Sequence, residues 1–590
     1  MPPRNQDVAD LLLAIADLLE IRGDNRFRVG AYRDAARRIA ALTDDLATIA
    51  AEGRLRTIPG IGEAIAGKVQ EFLETGRLAY YDRLRQEVPE TLRELLEIPG
   101  LGPRKVRLLY ERLGVRTIAD LRQALADGRV AQLPGMGEKS VQHLQWELER
   151  RERRGRRIAL GTALPLAEQI AVGLRAAAGP AGRVEVVGSI RRWCETVGDL
   201  NLLASGAEAS VLLDAFVRLP FVGEVIARAE TSASVLTAQG EKADLRVVPP
   251  SAWGNGLQYL TGSRAHNARL DQLAEQKGLR LGERGLIDVR DGRVLPAETE
   301  EEVYRRLGLL WVPPELREDS GEIEAARDGC LPSLVTVADI QGDLHCHSNW
   351  SDGTASIEEM WAAARARGYA YLALTDHSQS LGIAHGLTVD RLREQRAIIE
   401  AINRRGVEPY LLHGVELEIR SDGSLDFPDD VLAELDIVIA SVHGGFGQPR
   451  EKMTARLIAA AHNPHVDIIG HPTGRLIGRR EGYNVDLDAL MEVCAETGTA
   501  LEINANPARL DLDGMHARRA VEKGVLLVIN TDAHAPDNLD LLRFGIFTAR
   551  RGWVSARQVL NSRPLDELLG YLKRRGRPRP ADSAAGEAGR

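Results

Sequence analysis

The spacing of hydrophobic positions changes along the chain, and each spacing predicts a different class of element. Up to about residue 150, apolar residues recur every three or four positions, as in VADLLLAIADLLEI and AIAGKVQEFLETG, with short glycine-containing turns between them. This spacing places the apolar side chains on one face of a helix. The N-terminal part is therefore predicted to be entirely α-helical.

Between about residues 160 and 315 the pattern mixes helical segments with short apolar strands such as RVEVVGS, DLNLLAS and ADLRVVP. A mixture of this kind predicts an α+β region. Pro313, Pro314 and Pro332 then stand among charged residues and predict a linker, and the last stretch, RRGRPRPADSAAGEAGR, predicts a disordered tail.

From about residue 339 onward, apolar strands alternate with helical segments. The strands are YLALT, YLLHGVELEI, DIVIASV, VDIIG, ALEIN and VLLVINT. Repeated strand and helix units predict a parallel sheet, and this number of units favours a closed barrel. Nearly every strand ends in His, Asp or Glu, and such a barrel carries its chemistry at the carboxyl ends of its strands.

Composition adds constraints on class and location. A chain of 590 residues is too long for one hydrophobic core, and its apolar stretches are shorter than a membrane helix needs. The beginning, MPPRNQDVADLLLAIADLL, lacks the features of a signal peptide, and the four cysteines form no CxxC pair. These features predict a cytoplasmic protein that does not enter a membrane.

Charge and histidine content point to different parts of the chain. The net charge of −9 gives no overall electrostatic case for nucleic acid, so any DNA contact must come from local geometry. Eleven of the 13 histidines lie after residue 340. This uneven distribution predicts a metal site in the C-terminal part.

Three short turns repeat within the helical N-terminal part, namely IPGIG, IPGLG and LPGMG. Glycines let a turn approach a phosphate closely, and the next helix N-terminus supplies amide donors. The turns resemble helix-hairpin-helix motifs, which bind DNA without reading its sequence. The residues expected to contact DNA are Gly60, Gly62, Gly100, Gly102, Gly135 and Gly137.

The runs VGSIRRWCETVGDLNLLAS, ADLRVV and YLTGSRAHN resemble the nucleotidyl-transfer core of family X DNA polymerases. With the hairpin region, the resemblance covers roughly residues 1 to 315. It implies a catalytic set at Asp199, Asn201 and Asp244 that holds Mg²⁺ or Mn²⁺. The implied nucleotide-binding residues are Gly188, Ser189, Arg192, Tyr259, Gly262 and Asn267.

Two positions depart from that family. Asn201 stands where the family has its second aspartate, and an amide offers one neutral oxygen where a carboxylate bridges two cations. We expect a loss of roughly 4–7 kcal/mol of transition-state stabilisation, on the order of 10³–10⁵ in rate. Asp271 replaces an arginine that faces the template. The alternative is that Asn201 is tolerated and the site works slowly.

The segments GAYRDAARRIA and IAGKVQEFL resemble the lyase domain of the same family. The resemblance places Lys68 where that family has a lysine that forms a Schiff base with an abasic sugar, and Tyr32 where it has a supporting tyrosine. An isolated lysine on a helix is usually only solvated. A nucleophilic lysine requires a lowered pKa, so lyase chemistry at Lys68 stays one of two interpretations.

The strongest signal is a set of nine potential metal ligands at predicted strand ends. They are His345, His347, Asp352, His377, Glu416, His443, His471, Asp532 and His534. Nitrogen and oxygen ligands without cysteine suit divalent ions such as Mn²⁺, Zn²⁺ or Fe²⁺. The five other histidines of this part, His385, His413, His462, His465 and His516, are interpreted as structural or solvent-facing.

This set resembles the PHP (polymerase and histidinol phosphatase) domain, a (βα)₇-type barrel. The resemblance implies up to three Mn²⁺ or Zn²⁺ ions and a phosphate clamp at Arg475 in GHPTGRLIGRR. The implied ligand sets are His345, His347, Glu416 and Asp532 for one ion; Glu416, His443 and His471 for the second; Asp352, His377 and His534 for the third.

These patterns together predict a multidomain enzyme. The segments are a helix-hairpin-helix lyase-like domain at 1–85, a fingers-like helix-hairpin-helix domain at 86–155, a nucleotidyltransferase palm at 156–235, a thumb-like domain at 236–315, a linker at 316–338, a PHP phosphoesterase at 339–575 and a disordered tail at 576–590.

The function that the two resemblances imply is that of a bacterial DNA repair enzyme of the family X polymerase and PHP type. We expect 3′-to-5′ exonuclease, abasic-site and 3′-end processing activities, and a gap-filling activity weakened by Asn201. The expected partners are gapped or nicked DNA and deoxynucleoside triphosphates, and the expected state is a monomer. The alternatives are a DNA-binding scaffold with only a nuclease, and a histidinol-phosphate-like phosphatase.

Overall fold

A computed structural model describes residues 5–574 apart from 41, 43–45, 59, 97, 99 and 156. The expected tail at 576–590 lies outside the described residues. The chain divides into two compact units. One contains the described residues up to 155 with the segments 379–386 and 443–446, and the other contains residues 157–378, 387–442 and 447–574.

The N-terminal unit is helical, as its apolar spacing predicts. Its helices are α1 (Asn5–Arg22), α2 (Arg26–Ala40), α3 (Leu46–Ala51), α4 (Glu63–Thr75), α5 (Ala79–Glu87), α6 (Leu92–Leu96), α7 (Pro103–Leu113), α8 (Ile118–Ala126) and α9 (Glu138–Gly155). A capping box at Thr117 and Asp120 begins α8. One hydrophobic core extends from Val8 to Leu148, so the two predicted N-terminal segments pack as one body.

The palm is a five-stranded mixed sheet in the order β2-β4-β7-β6-β5. Its elements are β1 (Ile158–Ala159), α10 (Leu160–Ala178), β2 (Arg183–Val187), α11 (Gly188–Arg191), β3 (Thr196–Val197), β4 (Leu200–Ser205), α12 (Ala209–Val217), β5 (Val222–Arg228), β6 (Ser232–Thr237) and β7 (Lys242–Val247). The expected palm boundary at residue 235 is therefore wrong, because β6 and β7 pair within this sheet.

The thumb follows the palm directly. Its elements are α13 (Trp253–Thr261), α14 (Arg264–Gln276), β8 (Leu279–Arg280), β9 (Leu286–Asp288), β10 (Val294–Leu295), α15 (Glu300–Arg306) and α16 (Glu322–Asp328). Helix α16 lies in the segment 316–338 that was expected to be a linker. Leu316, Ile323 and Leu334 of this segment are buried in the thumb core, so the expectation of a loose connection is corrected.

The C-terminal part forms the predicted barrel, with seven parallel strands in chain order. The strands are β11 (Gly342–Cys346), β12 (Tyr371–Leu374), β13 (Tyr410–Glu418), β14 (Ile437–Ser441), β15 (Ile468–Ile469), β16 (Ala500–Asn504) and β17 (Leu527–Asn530). Cys346 forms a parallel bridge with Ala533, so the first and last strands meet. The predicted fold class is confirmed.

Helices connect the barrel strands. They are α17 (Ile357–Ala366), α18 (Val389–Asn403), α19 (Asp429–Leu432), α20 (Arg450–His462), α21 (Leu487–Thr497), α22 (Gly514–Glu522), α23 (Leu542–Arg551) and α24 (Leu565–Arg574). A capping box at Ser356 and Glu359 begins α17. The strands are buried along their length, which explains why they appear in the sequence as continuous apolar runs.

The palm and the barrel pack against each other within the second unit. Leu510 and Phe544 of the barrel belong to the same buried cluster as the palm core. A Cβ atom on Gly161 of α10 would lie 2.7 Å from Pro507 of the barrel, so the two surfaces are in close contact. Among the residues that the structure describes, we find no helix with the length and apolar character to cross a membrane.

Candidate metal centre and nucleotide site

The nine predicted ligands of the barrel lie at the carboxyl ends of its strands or just beyond them. His345 and Glu416 are within β11 and β13, and Asp532 follows β17 by two residues. Because all seven strands are parallel, their carboxyl ends form one rim. Residues that are far apart in the chain are therefore neighbours at this rim.

Three overlapping groups at the rim offer ligand atoms that all lie within 4.8 Å of one another. They are His345, His347, Glu416 and Asp532; His347, Asp352, His377 and His534; and His377, Glu416 and His443. His471 is adjacent, since its Nε2 lies 2.9 Å from Oε1 of Glu416. The structure therefore brings together all nine predicted ligands.

The donor set fits divalent ions in chemistry and in spacing. Nε2 of His345 lies 3.3 Å from Oε2 of Glu416, and Nε2 of His347 lies 3.2 Å from Oδ1 of Asp532. Two donors that are each about 2.0–2.2 Å from one ion lie roughly 3.0–3.6 Å apart. Both histidines are fully buried, and among the described residues these Nε2 atoms have no hydrogen-bond partner of acceptable geometry.

Glu502, which was not among the predicted residues, positions two of the ligands. Its Oε1 accepts hydrogen bonds from Nδ1 of His345 at 2.7 Å and from Asn530 at 3.0 Å, and its Oε2 accepts one from the backbone N–H of His471 at 2.7 Å. Burial alone would raise the pKa of Glu502, but the neighbouring His345 holds it below its usual value. The hydrogen bond to Nδ1 turns Nε2 of His345 towards the ligand group.

A sequence signal for Glu502 existed. It is the one charged residue in the strand ALEIN, and every residue of that strand is buried. A carboxylate in a buried strand requires hydrogen-bond donors or a cation. The apolar pattern of ALEIN predicts a buried strand but does not by itself indicate the role of this carboxylate.

The five other histidines of the barrel part are in none of the three groups. His413 is buried, and burial lowers its pKa to about 3, so it is neutral. His516 lies 2.8 Å from Asp513, whose hydrogen bond raises the pKa of the imidazole. Both observations agree with a structural role for these two histidines.

Arg475 contacts the palm. Its guanidinium pairs with Glu195 at 2.7 Å and donates to the carbonyl oxygens of Arg509 and Leu510. These contacts use donors that a phosphate would need, so they weigh against the phosphate clamp predicted at Arg475. That role stays a prediction.

In the palm, the three residues of the predicted catalytic set lie on two neighbouring strands. Asp199 immediately precedes β4, and Asn201 within β4 is in register with Asp244 of β7. The Asn201 amide donates a hydrogen bond to Oδ1 of Asp199 at 2.7 Å. Gly188, with φ +70°, begins the turn, and a Cβ there would lie 3.1 Å from this amide nitrogen.

Asp244 also has a partner within the protein. Lys242 places its Nζ 2.7 Å from Oδ2 of Asp244, and the Ser234 hydroxyl donates to Oδ1. Both palm carboxylates therefore have protein donors. An aspartate at position 201 would repel Asp199, and cations would be needed to offset that repulsion. The amide of Asn201 instead donates a hydrogen bond to Asp199.

A cavity of about 490 Å³ lies beside these residues, within the size range of small-ligand sites. Asn267 is held at its wall, since it donates to the Tyr259 carbonyl at 2.7 Å and accepts from Gln258 at 2.9 Å. Asp271 accepts a hydrogen bond from the backbone N–H of Leu281 at 2.7 Å. The residues of interest that line the cavity are Arg192, Asn201, Tyr259, Gly262, Asn267 and Asp271.

The three glycine turns of the N-terminal unit share one geometry. Gly60, Gly100 and Gly135 have φ between +76° and +92°. The second glycine of each turn immediately precedes α4, α7 or α9, and a Cβ there would meet nothing within 4 Å; these glycines are Gly62, Gly102 and Gly137. Each helix N-terminus is thus approachable by a phosphate.

Comparisons with known families match four parts of the chain. A helix-hairpin-helix domain matches residues 3–78, and a SAM-like helix-hairpin-helix tandem matches residues 92–150. A DNA polymerase beta thumb matches residues 256–318, and a PHP domain matches residues 343–506. The order of the matches agrees with the order of the predicted domains.

One relative spans nearly the whole chain. It is the DNA polymerase/3′-5′ exonuclease PolX of Bacillus subtilis (strain 168), which is 41% identical over 571 residues, 96% of this chain and 99% of that protein. The chain belongs to the PolX family. The predicted membership in the bacterial family X polymerases with a C-terminal PHP domain is confirmed.

Other relatives cover one part of this PolX chain each. The DNA polymerase lambda of Rattus norvegicus is 27% identical over 342 residues, 53% of this chain and 56% of that protein. A protein named as a probable phosphatase in Thermoanaerobacter sp. (strain X514) is 31% identical over 247 residues, 40% of this chain and 95% of that protein.

In the N-terminal unit of this PolX chain, Lys68 lies among aromatic and basic groups. Its Nζ is 4.9 Å from the centre of the Tyr80 ring and donates to the Ala64 carbonyl at 2.8 Å. Burial and the nearby Arg28 lower the pKa of Lys68, which is the direction that a nucleophilic lysine needs. Tyr32 is buried and stacks on Tyr80 with ring centres 6.4 Å apart.

Proposed function

We propose that this PolX protein is a DNA repair enzyme that degrades 3′ ends with its barrel and fills gaps slowly with its palm. The observation that carries the proposal is the group of nine nitrogen and oxygen ligands, six of them buried, at the rim of the barrel. In addition, the chain carries two helix-hairpin-helix regions that precede a polymerase-like palm. These regions support gapped or nicked DNA as the substrate, and we propose that the protein binds it as a monomer.

In the barrel, the three ligand groups would hold up to three Mn²⁺ or Zn²⁺ ions. Ions bound there would lower the pKa of a water molecule and stabilise charge on the phosphoryl oxygens. The protein orients the ligands: Glu502 fixes the His345 ring and the backbone of His471. Burial of Glu416 and Asp532 limits the access of bulk water to these two carboxylates.

In the palm, Asp199 and Asp244 would hold Mg²⁺ or Mn²⁺ for nucleotidyl transfer. Ser189 and Arg192 are proposed to bind the phosphates of the nucleotide, and Tyr259 and Asn267 to contact its sugar and base. Asn201 supplies no anionic ligand, and its hydrogen bond occupies Asp199. The polymerase reaction is therefore slow in Mg²⁺, although the cavity can still bind nucleotide.

We propose two further roles, both in the N-terminal unit. Lys68 is the nucleophile of an abasic-site lyase, since its pKa is lowered by burial and by Arg28. The hairpin glycines hold DNA through its phosphates without reading sequence. Both proposals place DNA repair chemistry in the N-terminal unit.

A small-molecule phosphatase is the second candidate function, because proteins named as probable phosphatases match 40% of this chain through most of their own length. The helix-hairpin-helix regions argue against it, since a small substrate does not need them. A DNA-binding scaffold with only a nuclease is the third candidate. Absence of primer extension under every metal condition would favour it.

The test is degradation of a 3′-labelled strand in gapped DNA with Mn²⁺. We expect His345→Ala to abolish degradation and to leave DNA binding intact, because it removes a ligand without changing the hairpins. His462→Ala is the control, since His462 lies at the end of α20 and in none of the ligand groups. Full nuclease activity of the His345→Ala variant would reject the proposal.

A further inference from the structure

Helix α23 of the barrel presents one face to the phosphate-binding turn of the palm. Phe544, Phe547 and Arg551 lie three and four positions apart, so they share that face. Phe547 stacks on Trp193 of the palm with ring centres 3.9 Å apart and planes 1° apart, and Phe544 meets the same indole edge-on at 5.6 Å.

Trp193 directly follows Arg192, the residue proposed to bind the nucleotide phosphates. Its φ of +55° is in the left-handed region that a tryptophan rarely adopts, and tertiary contacts are needed to hold it there. The contacts with Phe544 and Phe547 supply this support. The barrel therefore helps to fix the conformation of the turn from which Arg192 projects.

Arg551 continues this contact to a carboxylate. Its Nη1 donates a hydrogen bond to the Arg192 carbonyl oxygen at 2.7 Å and another to Oε1 of Glu318 at 3.0 Å. The same Oε1 accepts a hydrogen bond from Nε of Arg192 at 3.1 Å. Arg192, Glu318 and Arg551 thus form a row in which one carboxylate is shared by two guanidinium groups.

The charges of these three groups indicate how the shared carboxylate affects Arg192. The three groups carry a net charge of +1, and loss of the Arg551 charge would leave Arg192 and Glu318 as a neutral ion pair. A triphosphate would then have to displace Glu318 from Arg192 without the help of a second cation. Burial would raise the pKa of Glu318, but Arg192 and Arg551 together hold it below its usual value, so the carboxylate is ionised.

We propose that Arg551 of the barrel is a positioning residue for the polymerase reaction: it holds the Glu318 carboxylate and leaves Arg192 able to bind the triphosphate. Glu318 is the anion that competes for Arg192 in this arrangement, whereas the other donors of Arg192 meet the neutral Thr261 carbonyl oxygen and Cys194 Sγ. The inference rests on the proposed nucleotide site and adds a residue from the other catalytic domain to it. It makes the nucleotide affinity of the palm depend on the barrel.

The test measures the dissociation constant of Mg²⁺-dCTP on the full chain bound to gapped DNA. The primer ends in a dideoxynucleotide opposite the base before a template dG, and a His345→Ala background prevents degradation. We expect Arg551→Gln to raise the dissociation constant about tenfold, as for loss of one charge-assisted contact. Glu318→Gln should lower it, because the competing anion is gone.

The decisive comparison is the double variant. If Arg551 acts through Glu318, then Arg551→Gln should change the dissociation constant less than about twofold in the Glu318→Gln background. An equal effect of Arg551→Gln in both backgrounds would overturn the inference, and so would no effect in either. An unchanged or higher dissociation constant for Glu318→Gln alone would also overturn it, even if Arg551→Gln failed to fold.

Two control variants test the domain interface and the nucleotide site separately. Arg543→Gln removes a different ion pair between the same helix and the palm, at 3.2 Å from Glu168, and should leave the dissociation constant unchanged. An equal rise for Arg543→Gln would show general loosening of the interface and overturn the inference. Arg192→Gln should raise the dissociation constant strongly; if it does not, the proposed nucleotide site is wrong, and this inference fails with it.

Discussion

The barrel and the palm differ in how their carboxylates are neutralised. At the barrel rim, histidine nitrogens and carboxylate oxygens face each other at distances such as 3.2 and 3.3 Å, as donors around shared ions would. In the palm, Asp199 is satisfied by the Asn201 amide at 2.7 Å, and Asp244 by Lys242 at 2.7 Å. The barrel carboxylates therefore face atoms that suit shared cations, whereas the two palm carboxylates already have hydrogen-bond or ion-pair partners in the protein.

The difference teaches that strand pairing can bring the residues of a site together without fixing the charge that they carry. The palm sheet still brings positions 199, 201 and 244 together, because β4 and β7 pair in register. The charge of the site differs, since the Asn201 amide donates a hydrogen bond where a carboxylate would bind a cation. Four experiments test this difference between the barrel and the palm.

The largest expected effect is restoration of the palm charge. In a His345→Ala background, Asn201→Asp should raise single-nucleotide gap filling in Mg²⁺ by on the order of 10³-fold, because it restores a bridging carboxylate. Mn²⁺ should rescue part of the rate of the unmodified palm. The measurement is single-turnover extension on a one-nucleotide gap.

Asn201→Ala is the matched control, because it removes the hydrogen bond to Asp199 without adding a charge, and it should stay slow. A second readout does not depend on catalysis: Mg²⁺ should raise the melting temperature of Asn201→Asp more than that of the unmodified protein. Equal rates for Asn201 and Asn201→Asp in Mg²⁺ would show that the missing charge is unimportant. Slow extension with normal Mg²⁺ stabilisation would point to Asp271 instead.

The next effect concerns the barrel. Glu502→Gln should weaken metal binding by about 10–100-fold, since the amide no longer accepts well from Nδ1 of His345. The measurement is nuclease rate against Mn²⁺ concentration, and high Mn²⁺ should restore the rate. Glu492→Gln is the control, because Glu492 is exposed and pairs only with Lys523 at the surface. A Mn²⁺ dependence unchanged by Glu502→Gln would remove Glu502 from the site.

A smaller effect is expected when DNA binding by the hairpin turns is weakened. Gly62→Leu with Gly102→Leu should weaken binding to gapped DNA about tenfold, since side chains would block phosphate approach at the two helix N-termini. Hydrolysis of bis(p-nitrophenyl) phosphate by the barrel should not change. Gly570→Leu in α24 is the control, because its surroundings are equally open. Undiminished DNA affinity would make the hairpins structural turns only.

The smallest effect is a shift of a pH profile at the one proposed centre without a metal. EDTA should stop both metal-dependent activities but leave borohydride trapping of Lys68 on abasic DNA. Because Arg28 lowers the pKa of Lys68, Arg28→Gln should raise it and move the trapping profile to higher pH, with full activity regained there. Arg37→Gln, at an exposed ion pair with Asp34, is the control. A profile that stays in place would remove Arg28 as a cause.

Much of the barrel could be predicted from the sequence, because all but one of its apolar strands contain a ligand or lead to one, and parallel strands share a rim. The helical nature of the N-terminal unit followed from apolar spacing in the same way. Asn201 could be recognised as a neutral residue at a carboxylate position, but its hydrogen bond to Asp199 required the side-chain geometry.

Contacts between distant segments could not be predicted. Arg475 pairs with Glu195, which is 280 positions away, and no local pattern links the two residues. The segment 316–338 is expected to be a linker because Pro313 and Pro314 precede it and Pro332 stands within it near charged residues, although Ile323 and Leu334 are buried in the thumb core. The expected palm boundary at residue 235 is too early because β7 pairs with β4, and α12, β5 and β6 lie between these two strands in the chain.

The shared core of palm and barrel has a consequence for how this protein can change over generations. Leu510 and Phe544 of the barrel are buried with palm residues, so deletion of either domain would expose apolar surface on the other. A palm that has lost a catalytic charge therefore cannot be discarded at no cost to the nuclease. Selection for a stable barrel therefore also acts on the palm residues packed against it, whichever residue stands at position 201.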